Sequence, residues 1–203
     1  MDGAHLSPDT LVLEIGCGVG NFTEFFLRSG AKIIATDISP DLLRIAREKN
    51  WPQGQVRFVE KRFEDFDISE PFDSIIGSSV LHHLEVPEAL EVIYRLLKPN
   101  GRISFAEPNL LNPQVYFERR FSHLPYFASY VSPDEIAFIR WNLFDLLHNI
   151  GFVDINITPF DWLHPAVPRP YIGGISKIGE LLESLPLVRE FSGSLAIQAR
   201  RPS

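Results

Sequence analysis

The sequence predicts an α/β domain built on a doubly wound, mostly parallel sheet, and three observations carry that expectation. In residues 10–108, short apolar runs alternate with stretches of helical spacing. The first run ends in a glycine cluster, Gly16-Cys17-Gly18-Val19-Gly20, and the second ends in an acid, Asp37. Strand, helix and strand repeated along one chain imply right-handed crossovers, which wind a parallel sheet with helices on both faces.

The elements follow in order. Residues 10–15 are rich in Leu, Val and Ile and stop at Gly16, as a buried parallel strand should. Residues 21–29 space Phe22, Phe25 and Phe26 near helical period and stop at Gly30. A second strand covers 32–36. Ser39 and Pro40 then open a helix running to residue 50, with Ser39 as its N-cap and Pro40 at its first position. Residues 56–60 and 73–78 read as the third and fourth strands. A helix over 87–97 carries Leu90, Ile93, Tyr94 and Leu97 on one face, and Pro99-Asn100-Gly101 ends it before a fifth strand at 102–107. Residues 109–140 are rich in aromatics and prolines without a clean period, which suggests an insertion over the sheet edge. The spacing predicts a helix over 133–149, a strand over 153–158, a helix over 174–184 and a final strand over 194–200. There is no repeat and no low-complexity linker, so the 203 residues form one domain.

Composition narrows the function classes. Hydrophobic residues are 45% and charged residues 22% of the chain, the balance of a soluble globular protein. No run approaches the roughly 18 apolar residues that a membrane helix needs. The first ten residues lack the pattern of a secretory signal. Cys17 is the only cysteine, so no internal disulfide can form and a cytoplasmic location is expected. A net charge of −7 argues against holding nucleic acid by its phosphates. His, Cys, Asp and Glu show no spacing that would hold a metal.

The glycine loop and two acids point to a ligand. Glycines between a strand and a helix let the backbone turn sharply and let a ligand approach without meeting a Cβ. A dinucleotide loop spaces its glycines G-x-G-x-x-G, but here Gly20 comes one residue early and Asn21 stands where the third glycine would be. Glu14 lies near the end of a strand that should be buried, and a buried carboxylate is costly without a partner. An amino acid's ammonium group, reached directly or through water, would be one. Asp37, seventeen residues after Gly20, can accept hydrogen bonds from both hydroxyls of a ribose.

Four segments in order, E-I-G-C-G-x-G, A-T-D-I-S, F-D-S-I-I-G-S-S-V-L-H-H-L and L-L-K-P-N-G-R-I, resemble the class I S-adenosylmethionine-dependent methyltransferases of the small-molecule type. The likeness covers about residues 10–108, and residues 140–200 are compatible with that family's last two strands. It implies a Rossmann-like, seven-stranded sheet with an antiparallel last strand and the aromatic-rich segment after the fifth strand. It also implies a cofactor, S-adenosylmethionine. Gly16, Cys17, Gly18 and Gly20 would line its methionine and ribose, Glu14 would support the ammonium end, Asp37 would bind the ribose diol and Ile38 would lie against the adenine. The family often carries an aspartate where Arg62 stands here, so Phe63 and Glu64 become the candidates for the adenine edge. Ser78 and Ser79 would flank the methionine pocket.

Methyl transfer from a sulfonium depends mainly on aligning the nucleophile with the methyl–sulfur axis. A general base matters when the acceptor is a hydroxyl or a protonated amine. His82, His83 and Glu107 stand beyond the carboxyl ends of strands and are the catalytic candidates, although each would equally serve to shape the loops there. Tyr116, Phe117, Phe121, Tyr126, Phe127 and Tyr130 suit an apolar or lipid-like acceptor, lined also by residues near Trp162. They would equally cover a sheet edge or a homodimer face. Only about ten residues precede the first strand, where this family usually carries some tens. A shortened chain, a misplaced start, or a lid supplied by residues 109–135 or a partner subunit would each account for that. A non-catalytic S-adenosylmethionine-binding module and a nucleotide-cofactor oxidoreductase are the competing readings, and the early Gly20 speaks against the second.

Overall fold

The computed structural model describes residues 2–67, 70–123, 136–163 and 167–203. Seven strands form one sheet: β1 (Leu11–Ile15), β2 (Lys32–Asp37), β3 (Val56–Glu60), β4 (Phe72–Ser78), β5 (Leu97–Pro108), β6 (Val153–Phe160) and β7 (Ser194–Arg200). Their order is β3-β2-β1-β4-β5-β7-β6, parallel except that β7 runs antiparallel to both neighbours. The chain winds outward from β1 in one direction and from β4 in the other. The loops leaving these two strands therefore diverge and open a crevice at their carboxyl ends, where ligands bind in such sheets.

The central strands are apolar on both faces because both are covered. On β1, Val12 packs with Ile33, Ala35, Leu43, Phe26 and Leu27. These come from β2 and from the segments α1 (Asn21–Phe26), the 3-10 turn after it, and α2 (Pro40–Arg47). Leu13 and Ile15 point the other way, into a larger cluster with Ile75, Ile103, Leu90 and Ile93. That side is built by α3 (Val86–Leu96) and α5 (Arg140–Ile150), and the T-shaped pair Tyr94–Phe152, with centroids 5.1 Å apart, stands where they meet β6.

Most elements lie where the sequence places them, and Ser39 caps α2 with Pro40 at its first position. Three boundaries differ by five residues or more. The helix expected over 133–149 begins at Arg140, because Phe138 bridges Asn109 and its N–H donates to the Pro108 carbonyl, which holds residues 136–139 extended. Residues 133–135 lie outside the described residues. Leu97 leaves the α3 face to pair with Phe72, so β5 begins there, and its register shifts before Arg102 pairs with Ser74. The last long helix, α6 (Arg169–Glu183), starts five residues earlier than expected and runs through Gly173-Gly174. A glycine pair costs helix stability but does not stop a helix whose other residues pack.

After β5 comes α4 (Pro113–Arg120), capped by Asn112, whose Oδ1 accepts from the N–H groups of Gln114 (2.9 Å) and Val115 (3.1 Å). The same side chain donates to the Phe191 carbonyl at 2.8 Å and so ties the helix to the loop before β7. Asn112→Ala is expected to lower unfolding stability by about 1 kcal/mol, read from the midpoint of a urea titration.

Candidate active site

The glycine loop is drawn tight by its own backbone. The N–H of Cys17 donates to the Thr36 carbonyl (3.0 Å) and that of Gly20 to the Cys17 carbonyl (2.8 Å). Its glycines do different work. Gly16, at φ +68°, lies so close to Val80 that an added Cβ would stand 2.7 Å from Val80 Cγ2. Gly18, at φ +53°, faces open space, with no atom of the other described residues within 4 Å of an added Cβ. Gly20 is the N-cap of α1 and packs beneath the ring of Trp51. Of the three, Gly18 is the one beside which a ligand has room. The Cys17 thiol is buried, and burial first, with Glu14 and Asp37 adding to it, pushes its pKa well up.

Asp37 closes the loop from β2. Its Oδ2 accepts the Gly18 N–H at 2.8 Å and its Oδ1 accepts the Ser39 N–H at 2.9 Å. Each carboxylate oxygen has a second lone pair, which is what two ribose hydroxyls require. Ile38 beside it is 75% exposed, an apolar surface of the kind a purine ring covers. Glu14 is 2% exposed, and the partner it finds within the chain is Thr23, whose hydroxyl donates to Oε2 at 2.6 Å. A hydroxyl solvates the charge without neutralising it. Burial therefore wins, and the Glu14 pKa is pushed up to about 7.

The adenine-edge candidates divide. The Phe63 ring is 3% exposed and belongs to the core, so only its backbone remains for a ligand. It opens a 3-10 turn, Phe63–Asp65, whose first N–H groups have no acceptor within the turn. The Glu64 carboxylate lies 3.4 Å from the Arg62 guanidinium, so the residue that departs from the family pattern pairs with its neighbour.

On the other side of the crevice, Ser78 ends β4 and Ser79 follows, exposed and in the left-handed region at φ +53°. The Ser79 N–H donates to the Ala106 carbonyl at 2.8 Å. His82 is buried and His83 exposed, with ring centroids 4.1 Å apart. Glu107, 1% exposed, is engaged through both oxygens. Oε1 accepts from the N–H groups of Val80 (2.9 Å) and Leu81 (2.8 Å), and Oε2 lies 2.7 Å from His82 Nδ1.

The aromatic segment is described only in part. Tyr116 and Phe117 on α4 are exposed, and Phe117 stacks on Phe121 with centroids 6.0 Å apart. Tyr126, Phe127 and Tyr130 lie outside the described residues. Trp162 packs against Gly179 of α6, and its buried indole N–H has no acceptor among the described residues. Sequence reasoning missed Thr23 and Val80. A hydroxyl at the third position of α1 was the available signal for Thr23. For Val80 it was Gly77, a glycine in the middle of a buried strand, where an added Cβ would meet Val80 Cγ1 at 2.8 Å.

This strand order, with a glycine loop after β1 and an acid ending β2, is the arrangement of the class I S-adenosylmethionine-dependent methyltransferases, to which the chain is similar in fold and, over part of its length, in sequence. The family model described as "Methyltransferase domain" matches residues 13–103. The chain is 36% identical over 96 residues to a ubiquinone biosynthesis O-methyltransferase of Xylella fastidiosa, an alignment covering 45% of this chain and 39% of that enzyme. The chain thus matches less than half the length of that curated relative. Among solved structures, it superposes on an S-adenosylmethionine-dependent methyltransferase from Mesorhizobium loti with a TM-score of 0.70 and 17% identity, covering 97% of this chain and 92% of that one. On the N-methyltransferase NodS of Bradyrhizobium japonicum, solved with S-adenosyl-L-homocysteine, the TM-score is 0.63 at 18% identity, over 96% and 79% of the two chains. At such identity these superpositions speak for the fold.

Proposed function

We propose that the chain transfers a methyl group from S-adenosylmethionine to a small-molecule acceptor by in-line displacement. The observation that carries this reading is the Asp37 carboxylate bonded to Gly18 N–H beside open space, with exposed Ile38 next to it. When bound, S-adenosylmethionine supplies a methyl carbon on a sulfonium, which is already a good leaving group. The chain's own part is to bind and orient. Asp37 holds a ribose diol, Gly18 leaves room for the ligand to approach the loop, and Ile38 covers one face of the base. Phe63 and Glu64 are assigned the base edge, Glu14 the ammonium end, and Ser78 and Ser79 the methionine side. If the acceptor is a hydroxyl or a protonated amine, His82 and His83, on the turn after β4, are the candidates for holding the departing proton.

An apolar or lipid-like acceptor is supported by the exposed Tyr116 and Phe117 just past β5, and by the word ubiquinone in the name of the Xylella relative. Exposed Tyr171, Ile178 and Leu181 on α6 suit a homodimer, which sedimentation would test. No helix among the described residues is long and apolar enough to cross a membrane.

Calorimetry with S-adenosylhomocysteine tests the cofactor reading, and a folded chain that does not bind it would refute that reading. Asp37→Ala is expected to weaken the same binding by about 2 kcal/mol, the worth of hydrogen bonds to a charged group. Unchanged affinity would reduce Asp37 to a brace for the loop.

A further inference from the structure

We propose that Glu107 is the positioning residue of this site, with one carboxylate setting the loop after β4 beneath the glycine turn and fixing which nitrogen of His82 carries hydrogen. The affinity part of this proposal rests on the cofactor reading above. The part concerning His82 does not.

Glu107 sits one residue from the end of β5, paired in register with Leu195 of β7, and is 1% exposed. Three donors converge on it: two successive backbone N–H groups, Val80 and Leu81, and the His82 ring. Leu81–His83 is a 3-10 turn, and the first N–H groups of such a turn have no acceptor within it. The Glu107 Oε1 supplies that acceptor from a strand 26 residues away. The loop is thereby held where its own sequence would not hold it, since Ser79 just before it adopts a left-handed φ of +53° that non-glycine residues avoid.

What this clamp holds in place is Val80. Its two methyl groups lie against Gly77 and Gly16 so closely that an added Cβ at either glycine would stand within 2.8 Å. Gly16 opens the cofactor loop. The line of contact therefore runs from the end of β5 through Glu107 to Val80, and from Val80 to the glycine turn. A displaced Val80 would leave Gly16, and with it Cys17 and Gly18, without its floor.

The same carboxylate sets the state of His82. A carboxylate only accepts, so at 2.7 Å from Oε2 the Nδ1 atom carries the hydrogen. In the neutral form of the ring the lone pair is then on Nε2. With both oxygens occupied and its side chain out of solvent, Glu107 acts through His82 and the loop and does not itself exchange protons with an acceptor.

The test uses the full chain labelled with 15N-histidine. Imidazole nitrogen shifts report the tautomer, and calorimetry with S-adenosylhomocysteine reports affinity. In the wild type, His82 is expected to show hydrogen on Nδ1. In Glu107→Gln the side-chain oxygen still accepts from Val80 and Leu81, but the amide now donates to Nδ1, so the hydrogen should move to Nε2. Affinity should fall by about threefold in Glu107→Gln and by about tenfold or more in Glu107→Ala, which removes the buried acceptor altogether. A wild-type His82 with hydrogen on Nε2, or shifts that do not change in Glu107→Gln, would overturn the assignment. So would an affinity in Glu107→Ala equal to that of the wild type. If the wild-type chain binds no S-adenosylhomocysteine, the cofactor reading fails, and the tautomer measurement still decides the role of Glu107.

Discussion

Gly18→Val is expected to yield a folded protein that has lost more than about a hundredfold in affinity for S-adenosylhomocysteine. Two separate costs make the result informative. The first is conformational: Gly18 sits at φ +53°, and a β-branched residue there costs about 1–2 kcal/mol of stability. The second is steric and falls on the ligand, because among the described residues nothing stands within 4 Å of the added Cβ. Gly16→Val is the useful contrast. Its Cβ would collide with Val80, so that variant should lose stability through packing inside the protein. If folded Gly18→Val bound the ligand normally, the open space beside Gly18 would not be the cofactor's, and the loop would only connect strand to helix. Thermal unfolding and calorimetry on the same preparations separate the two costs.

The second expected result is a pH dependence written by Glu14. Its folded pKa, raised to about 7 by burial, lies above the ordinary carboxylate value of 4.5. Between these values the folded chain binds more protons than the unfolded one. The contribution of protonated Glu14 is therefore fully present below pH 4.5 and is lost as the pH rises to about 7, beyond which the curve is flat. The loss amounts to at most about 3 kcal/mol, because each pKa unit is worth about 1.4 kcal/mol. Glu14→Gln, which keeps an acceptor for Thr23, should remove that slope from urea titrations run at several pH values. A slope that persists unchanged would assign it to another group. On the proposed reading, an ammonium group beside Glu14 favours the ionised form. Cofactor affinity should then rise across the same window, with a proton released on binding. Calorimetry in buffers of different ionisation enthalpy counts that proton.

Glu14 and Asp37 also show how far local pattern reaches. Both acids were singled out from their distance to a glycine loop, and both lie at that loop. Glu14 is buried in β1, and Asp37 is bonded to Gly18. What each touches was less legible. The Thr23 hydroxyl lies nine residues from Glu14, on the helix that the glycine turn sends back over the strand. Phe63 stands just after β3, where the resemblance puts the adenine edge, and its ring packs into the core, which leaves its backbone for that role, a choice set by side-chain direction. The helix expected from residue 133 starts at Arg140, because a bridge to Asn109 outweighs helical propensity.

By itself, the sequence determined the alternation of strands and helices, the turn after β1 and the acid after β2. These depend on apolar period, turn chemistry and spacing over a few residues, all of which are local. The tertiary structure alone decided that Glu107 caps the turn after β4, that Val80 stands beneath Gly16, and that Glu14 carries a raised pKa. Each of these depends on a partner brought close by the sheet or on exclusion of water by the surrounding core, and neither is encoded in the spacing along the chain.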